Sequence, residues 1–154
     1  MTEAELKMME DRRDRLAGKL PDPVRPILPA KFTIIGHAVS VNKSRVSFTG
    51  ADGKTKTVKT SEAASWAKLM DEQLRAQWGR MLPVECEVFV LMDFYFSSNR
   101  GDYNNGSKAV EDALEKAGIL RNDRLIRRGT ITKHVDRNRP RVEVVIYEST
   151  LKPL

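Results

Sequence analysis

At 154 residues with 40% hydrophobic content, the chain suits one folded domain with a modest core and argues against global disorder. No apolar run approaches the roughly 20 residues of a membrane-spanning helix, and the charged opening Met1–Arg13 is unlike a secretory signal, so a cytoplasmic protein without a membrane partner is expected. The net charge of +6 favours polyanionic partners.

Thr2 followed by Glu5 forms a capping-box signature for a helix from about Glu3 to Ala17, stopped by Gly18. Half of that segment is charged, and its apolar stripe of Leu6, Met9 and Leu16 is thin, which reads as an appended arm. Four prolines between Pro21 and Pro29 preclude a helix and favour an extended, semi-rigid linker. The expected organisation is therefore an arm and linker over residues 1–30 and a folded domain over 31–150.

Phe32, Ile34 and Ile35 suggest a first strand ending at Gly36. Gly50–Gly53 marks a turn between two short extended pieces. Thr60 or Ser61 caps a helix over about 62–78, where Ala63, Trp66, Ala67, Met70 and Leu74 recur at helical spacing and Gly79 ends it. Trp66 belongs to that stripe, and Trp78 suits either the core or a dimer contact. Val84–Phe96 alternates as a long strand. Its Cys86, the only cysteine, reads as a buried structural thiol and leaves no intrachain disulfide or cysteine-cluster zinc site. A helix over Asn104–Ala117 and strands over Thr130–Asp136 and Val142–Tyr147 complete a small α/β domain with a mixed sheet and packed helices. His37 and His134 lie far apart and lack a ligand-like neighbourhood, which suggests solvated or core-edge roles.

The chemistry concentrates between Arg100 and Asp123. On a helical wheel, Val110, Ala113, Leu114 and Ala117 form the apolar side, while Asn104, Asn105, Lys108 and Asp112 form the opposite, polar side. Asp102 falls where the strand hands over to the helix. Gly118 permits a left-handed turn that brings Asn122 and Asp123 back toward the polar side. Two such carboxylates suit a hard cation such as Mg²⁺, and Lys108 suits a phosphate that gains charge in a transition state. The plainer alternative is that Asp102 caps the helix and Lys108 pairs with Asp112 on a wet surface.

From Leu120 to Arg141 there are eight basic residues against two acidic ones, which accounts for the whole net charge. Such a run is either a solvated face or a phosphate-contacting surface, and its asymmetry favours the second.

These residues resemble the signature of the RusA family of Holliday junction resolvases. The family pattern is Asp-x-Asp-Asn-x-x-Lys, then Asp-Ala-Leu, Ala-Gly-apolar and Asp-Asp. Here it reads Asp102-Tyr103-Asn104-Asn105-Gly106-Ser107-Lys108, then Asp112-Ala113-Leu114, Ala117-Gly118-Ile119 and Asn122-Asp123. Ser40-Val41-Asn42-Lys43 upstream is also similar, and the resemblance runs from about Phe32 to Glu148. It implies a homodimeric endodeoxyribonuclease of α/β (α+β) fold, bacterial or phage-encoded, that binds branched DNA and symmetrically nicks four-way junctions in recombination and repair with Mg²⁺ (or Mn²⁺). Carried over, the catalytic set is Asp102, Asn104, Lys108 and Asp123, with Asp102, Asn104 and Asp123 on the metal. DNA contacts are expected from Asn42, Lys43, Arg45, Asn105, Arg121, Arg124, Arg127, Arg128 and Lys133.

Two positions depart from the pattern, because Asn104 and Asn122 stand where the family has aspartates. An amide oxygen still ligates a metal but brings no charge. The alternatives are an enzyme that still cleaves, a structure-selective junction binder with weak or no cleavage, and an introduced substitution that traps a complex.

Overall fold

The computed structural model describes residues 1–18, 22–39, 45–100 and 106–154. Helix α1 spans Glu3–Leu16 and starts with the expected capping box, in which the Thr2 hydroxyl accepts from the Glu5 N–H and the Glu5 carboxylate accepts from the Thr2 N–H. None of its residues is buried, as its thin apolar stripe anticipates.

The sheet is built from β1 (Ala30–Ile35), β4 (Val88–Phe96), β5 (Ile126–Val135) and β6 (Arg141–Glu148), in the spatial order β1-β6-β4-β5. β6 is antiparallel to both β1 and β4, whereas β4 and β5 are parallel. A parallel pair needs a crossover, and helix α3 (Ser107–Lys116) supplies it. β2 (Arg45–Thr49) and β3 (Thr55–Lys59) form a separate hairpin around the Gly50–Gly53 turn. Helix α2 (Ser61–Trp78) is capped by the Thr60 hydroxyl and ends at Gly79, whose φ of 64° suits a residue without Cβ. The architecture is the expected mixed sheet with packed helices and an additional N-terminal helix.

Strict alternation in β4 buries Val88, Val90, Met92, Phe94 and Phe96. Register places Met92 beside Val144 and Phe94 beside Val142, with Phe32 and Ile34 of β1 continuing the same layer. Onto this face α2 presents Trp66, Met70, Leu74 and Trp78, and α3 presents Val110, Ala113 and Leu114. The outer edge of β1 is closed by two glutamines one helical turn apart. The Gln77 amide bonds both the N–H and the C=O of Thr33, at 2.9 and 2.7 Å, and Gln73 does the same for Ile35, at 2.8 and 2.9 Å. Side-chain amides thereby stand in for a missing neighbour strand.

Two boundaries differ from expectation. The fourth strand begins at Val88, while Val84 makes an isolated bridge to Leu120. Glu85, Cys86 and Glu87 occupy a bend, so Cys86 is exposed rather than a buried structural thiol. Burial at Val84 and Val88 masks an interruption that three polar or small residues create. β5 starts four residues earlier than its alternation suggests, because Ile126, Arg128 and Gly129 pair with Val88, Phe89 and Val90 of β4, with Arg127 left out at a bulge.

Candidate active site

Helix α3 carries the centre of the site. Val110 and Leu114 are fully buried, and Ala113 and Ala117 nearly so, which turns Lys108 and Asp112 outward as the wheel requires. Gly118 takes φ 75°, a conformation that favours glycine. The chain then doubles back, and Ile119 and Leu120 N–H groups both return to the Leu114 carbonyl. Asn122 caps a single 3₁₀ turn, Asp123–Leu125, by accepting from the Arg124 N–H at 2.9 Å. Asp123 is thereby set opposite the first turn of α3.

The Lys108 ammonium lies 2.8 Å from an Asp123 carboxylate oxygen and 3.0 Å from one of Asp112. The Asp112 contact is the plain i,i+4 surface pair, worth only about 0.3–0.5 kcal/mol in exposed helices. The Asp123 contact is different in kind, because it joins α3 to a turn fifteen residues on. The Asp123 side chain is also less exposed, at 29% against 59% for Lys108. Hydrogen bonding to Asp123 and then Asp112 raises the Lys108 pKa, so this ammonium is a fixed cation and not a proton donor at neutral pH. The same bond from Lys108 lowers the pKa of Asp123, which stays a carboxylate.

Two contributors to this geometry were not singled out from sequence. Glu111 sits on the border between the polar and apolar sides of α3, half-buried against β5. A Cβ added to Gly129 would lie 3.5 Å from its carboxylate oxygen. Burial raises its pKa, Lys108 opposes that shift, and Asp123 and Asp112 add to it. The only sequence signal was its border position on the wheel. Gly106 occupies a variable place in the motif, yet a Cβ there would meet the Phe94 ring at 2.8 Å. Phe94 is fully buried, so the ring cannot simply swing aside.

The remaining candidates are distributed. Asn42, Lys43, Asp102, Asn104 and Asn105 lie outside the described residues, as does Tyr103. The backbone of Arg45 begins β2. Arg121 pairs with Glu85. The Arg127 guanidinium is largely covered, bonded to Glu87 at 2.7 Å and to the Lys152 carbonyl at 2.8 Å, so it ties the C-terminal tail to the sheet. Arg128 lies over the Phe89 ring, and Lys133 donates to the Asn99 carbonyl at 2.6 Å. Arg124 is exposed beside Asp123. Of the basic run, Arg141 is also half-buried, clamped between Asp136 and Glu143 at 2.9 Å each. His134 bonds Asp93 at 2.7 Å and stacks on Tyr95 at the margin of the sheet.

Chemically, the described part of the site offers one fixed cation and one ionised carboxylate on adjoining elements. Among the described residues no group of three or more His, Cys, Asp or Glu side chains is arranged to hold a metal. The oxygen-only donors of Asp123 and of the motif residues Asp102 and Asn104 fit a hard divalent cation better than a soft one. Among the described residues no helix is long and apolar enough to cross a membrane. A family model for endodeoxyribonuclease RusA matches residues 38–147. No curated protein matches the chain.

Proposed function

This chain belongs to the endodeoxyribonuclease RusA family, and on that premise we propose that it nicks four-way DNA junctions with the aid of Mg²⁺ (or Mn²⁺). The observation that carries the reading is the convergence of Lys108 and Asp123, residues from two separate blocks of the family motif, at 2.8 Å.

In this reading Asp102, Asn104 and Asp123 would hold the ion. When bound, it supplies a polarised phosphate and an activated water. Asp123 contributes a charged oxygen ligand that the 2.8 Å contact with Lys108 holds in place. The Lys108 ammonium sits beside the scissile phosphate and offsets the charge that grows on its oxygens. Asn104 supplies an amide oxygen without charge and is a poorer base than the aspartate of the family pattern. Arg124, beside Asp123, is the basic residue best placed to meet a flanking phosphate. Lys133, whose ammonium lies over the Phe96 ring on the helix-bearing face of the sheet, extends the positive surface along β5, whereas Arg128 lies over Phe89 on the opposite face, and Arg121 meets DNA by exchanging Glu85 for phosphate. The role first expected for Arg127 we reassign to holding the tail, because its guanidinium is already committed.

The reading includes a homodimer, whose two-fold axis matches the pseudo-symmetry of a junction. The sheet face turned away from α2 and α3 supports it, with half-buried Phe89, Leu91, Tyr95 and Val145 among charges of both signs, Asp93 and Glu143 against Arg128 and Arg141. Residues 1–30 we treat as an appendage to the nuclease domain.

The second reading is a junction binder that has lost the chemistry, and Asn104 favours it. Incubation with a labelled four-way junction and an equivalent linear duplex, in Mg²⁺ or in EDTA, separates the two. Paired nicks confined to the junction and to Mg²⁺ support the nuclease. Selective, metal-independent binding without nicks supports the binder, and equal treatment of junction and duplex at one salt concentration rejects both.

A further inference from the structure

We propose that the cleft between α2 and α3, beside Lys108, receives one unstacked base of the DNA substrate. The proposal rests on the nuclease reading and adds a binding subsite to it. The cleft has a volume of about 210 Å³. Its α2 wall is Ala63, Trp66, Ala67 and Met70, and its α3 wall is Ala109 and Ala113. Lys59, Lys108 and Lys116 stand around it, with Asp112 as the single acid.

Three features select a base as the occupant. The first is size, because pockets for drug-sized molecules run to roughly 300–1,000 Å³, and this one suits a ring system rather than a whole nucleotide. The second is polarity. The walls are apolar, so a guest is held by its flat face, and every base has such a face. The third is charge complementarity, since three ammonium groups against one carboxylate favour a guest that carries a phosphate on each side.

Position supplies the link to the reaction. Lys108 lines the cleft and also makes the ion pair with Asp123 on which the active site is built. A base in the cleft therefore belongs to a nucleotide next to the phosphate that Lys108 contacts. Fully stacked duplex resists giving up a base, whereas bases at a branch point are already weakly stacked and cost less to extrude. The cleft thus gives the enzyme a way to recognise a branch that does not depend on its sequence.

The test couples the cleft to the base. Ala67→Leu fills it from α2 and Ala109→Leu from α3. Both positions are half-buried, and leucine is a strong helix former. Affinity is measured in EDTA for an intact junction and for junctions carrying one abasic site at successive branch-point positions. The wild-type chain should bind the intact junction about tenfold more tightly than one of the abasic junctions, within the range of a single stacked base. Either filled variant that retains wild-type helicity and melting should lose that difference, giving a non-additive cycle. Additive effects, or a wild-type chain blind to the abasic site at every position, overturn the proposal. If the wild-type chain shows no preference for the intact junction over duplex, the nuclease reading fails along with it. A preference without coupling removes the cleft alone.

Discussion

Lys108 and Asp123 meet at 2.8 Å only because Gly118 reverses the chain after α3 and Asn122 caps the turn that follows. Each partner sets the ionisation of the other, raising the lysine and lowering the aspartate. The pair is thus a fixed cation beside a fixed carboxylate across the whole neutral range. Lys108 titrates above the ordinary lysine value of about 10.4, so its charge is present at all lower pH and is lost only as pH rises past the raised pKa. Junction nicking by the wild-type chain should show no alkaline loss attributable to Lys108 up to about pH 9. Lys108→Arg should keep part of the rate and Lys108→Met should lose about 100-fold or more, the scale of removing one charge-stabilising donor. Single-turnover rates across pH 6–9 check both, and a Lys108→Met rate equal to wild type contradicts the role.

Asn104→Asp should raise Mg²⁺-dependent nicking, because it restores the charge that the family pattern places at that position. Rates on one junction at several Mg²⁺ concentrations should show both a higher maximum and a lower metal requirement. Unchanged or slower nicking would mean that the asparagine is not what limits the site.

Gly106→Ala should destabilise the fold by about 1–3 kcal/mol, the usual cost of overpacking a filled core. The added Cβ would lie 2.8 Å from the ring of Phe94, which is fully buried. Denaturant melts read the loss directly. A midpoint like that of wild type would show that the N-terminus of α3 can shift to make room.

Asp136 closes the connection from β5 to β6. It accepts from the Asn138 and Arg139 N–H groups at 3.1 Å and pairs with Arg141 at 2.9 Å. The Arg141 guanidinium, with those backbone bonds, holds its pKa below the usual aspartate value. A depressed folded-state pKa contributes stability that is present above the ordinary value of about 3.9 and is lost as pH falls through the folded value. The wild-type chain should therefore lose stability below about pH 4 more steeply than Asp136→Asn, and the Asn variant should be the less stable at pH 7. Melting curves from pH 7 to pH 2.5 test the sign, and parallel curves would contradict it.

Periodicity made most of the fold legible. The α2 stripe from Ala63 to Leu74 and the alternation of β4 each predict the face that is buried. What periodicity missed has local causes. Val84 and Val88 are both buried, so the bend at Cys86 between them was invisible. The start of β5 is held at Ile126, Arg128 and Gly129 by its neighbour and not by its own pattern. At the site, the wheel turned Lys108 outward and Gly118 brought Asp123 back. Glu111 went unnoticed because a glutamate on a helix border ordinarily reads as solvated. The basic run was visible as charge, but no one-dimensional pattern could show that Arg127 and Arg141 are bonded to half-buried carboxylates of the same chain.

The central claim is that Asp123, held in place by Lys108, belongs to the nicking machinery. Single-turnover nicking of a four-way junction in Mg²⁺, by the wild-type chain and by Asp123→Asn side by side, tests it most directly. The account predicts paired nicks from the wild-type chain and a loss of about 100-fold or more in the variant, with junction affinity in EDTA nearly unchanged. Nicking by Asp123→Asn at the wild-type rate would contradict it.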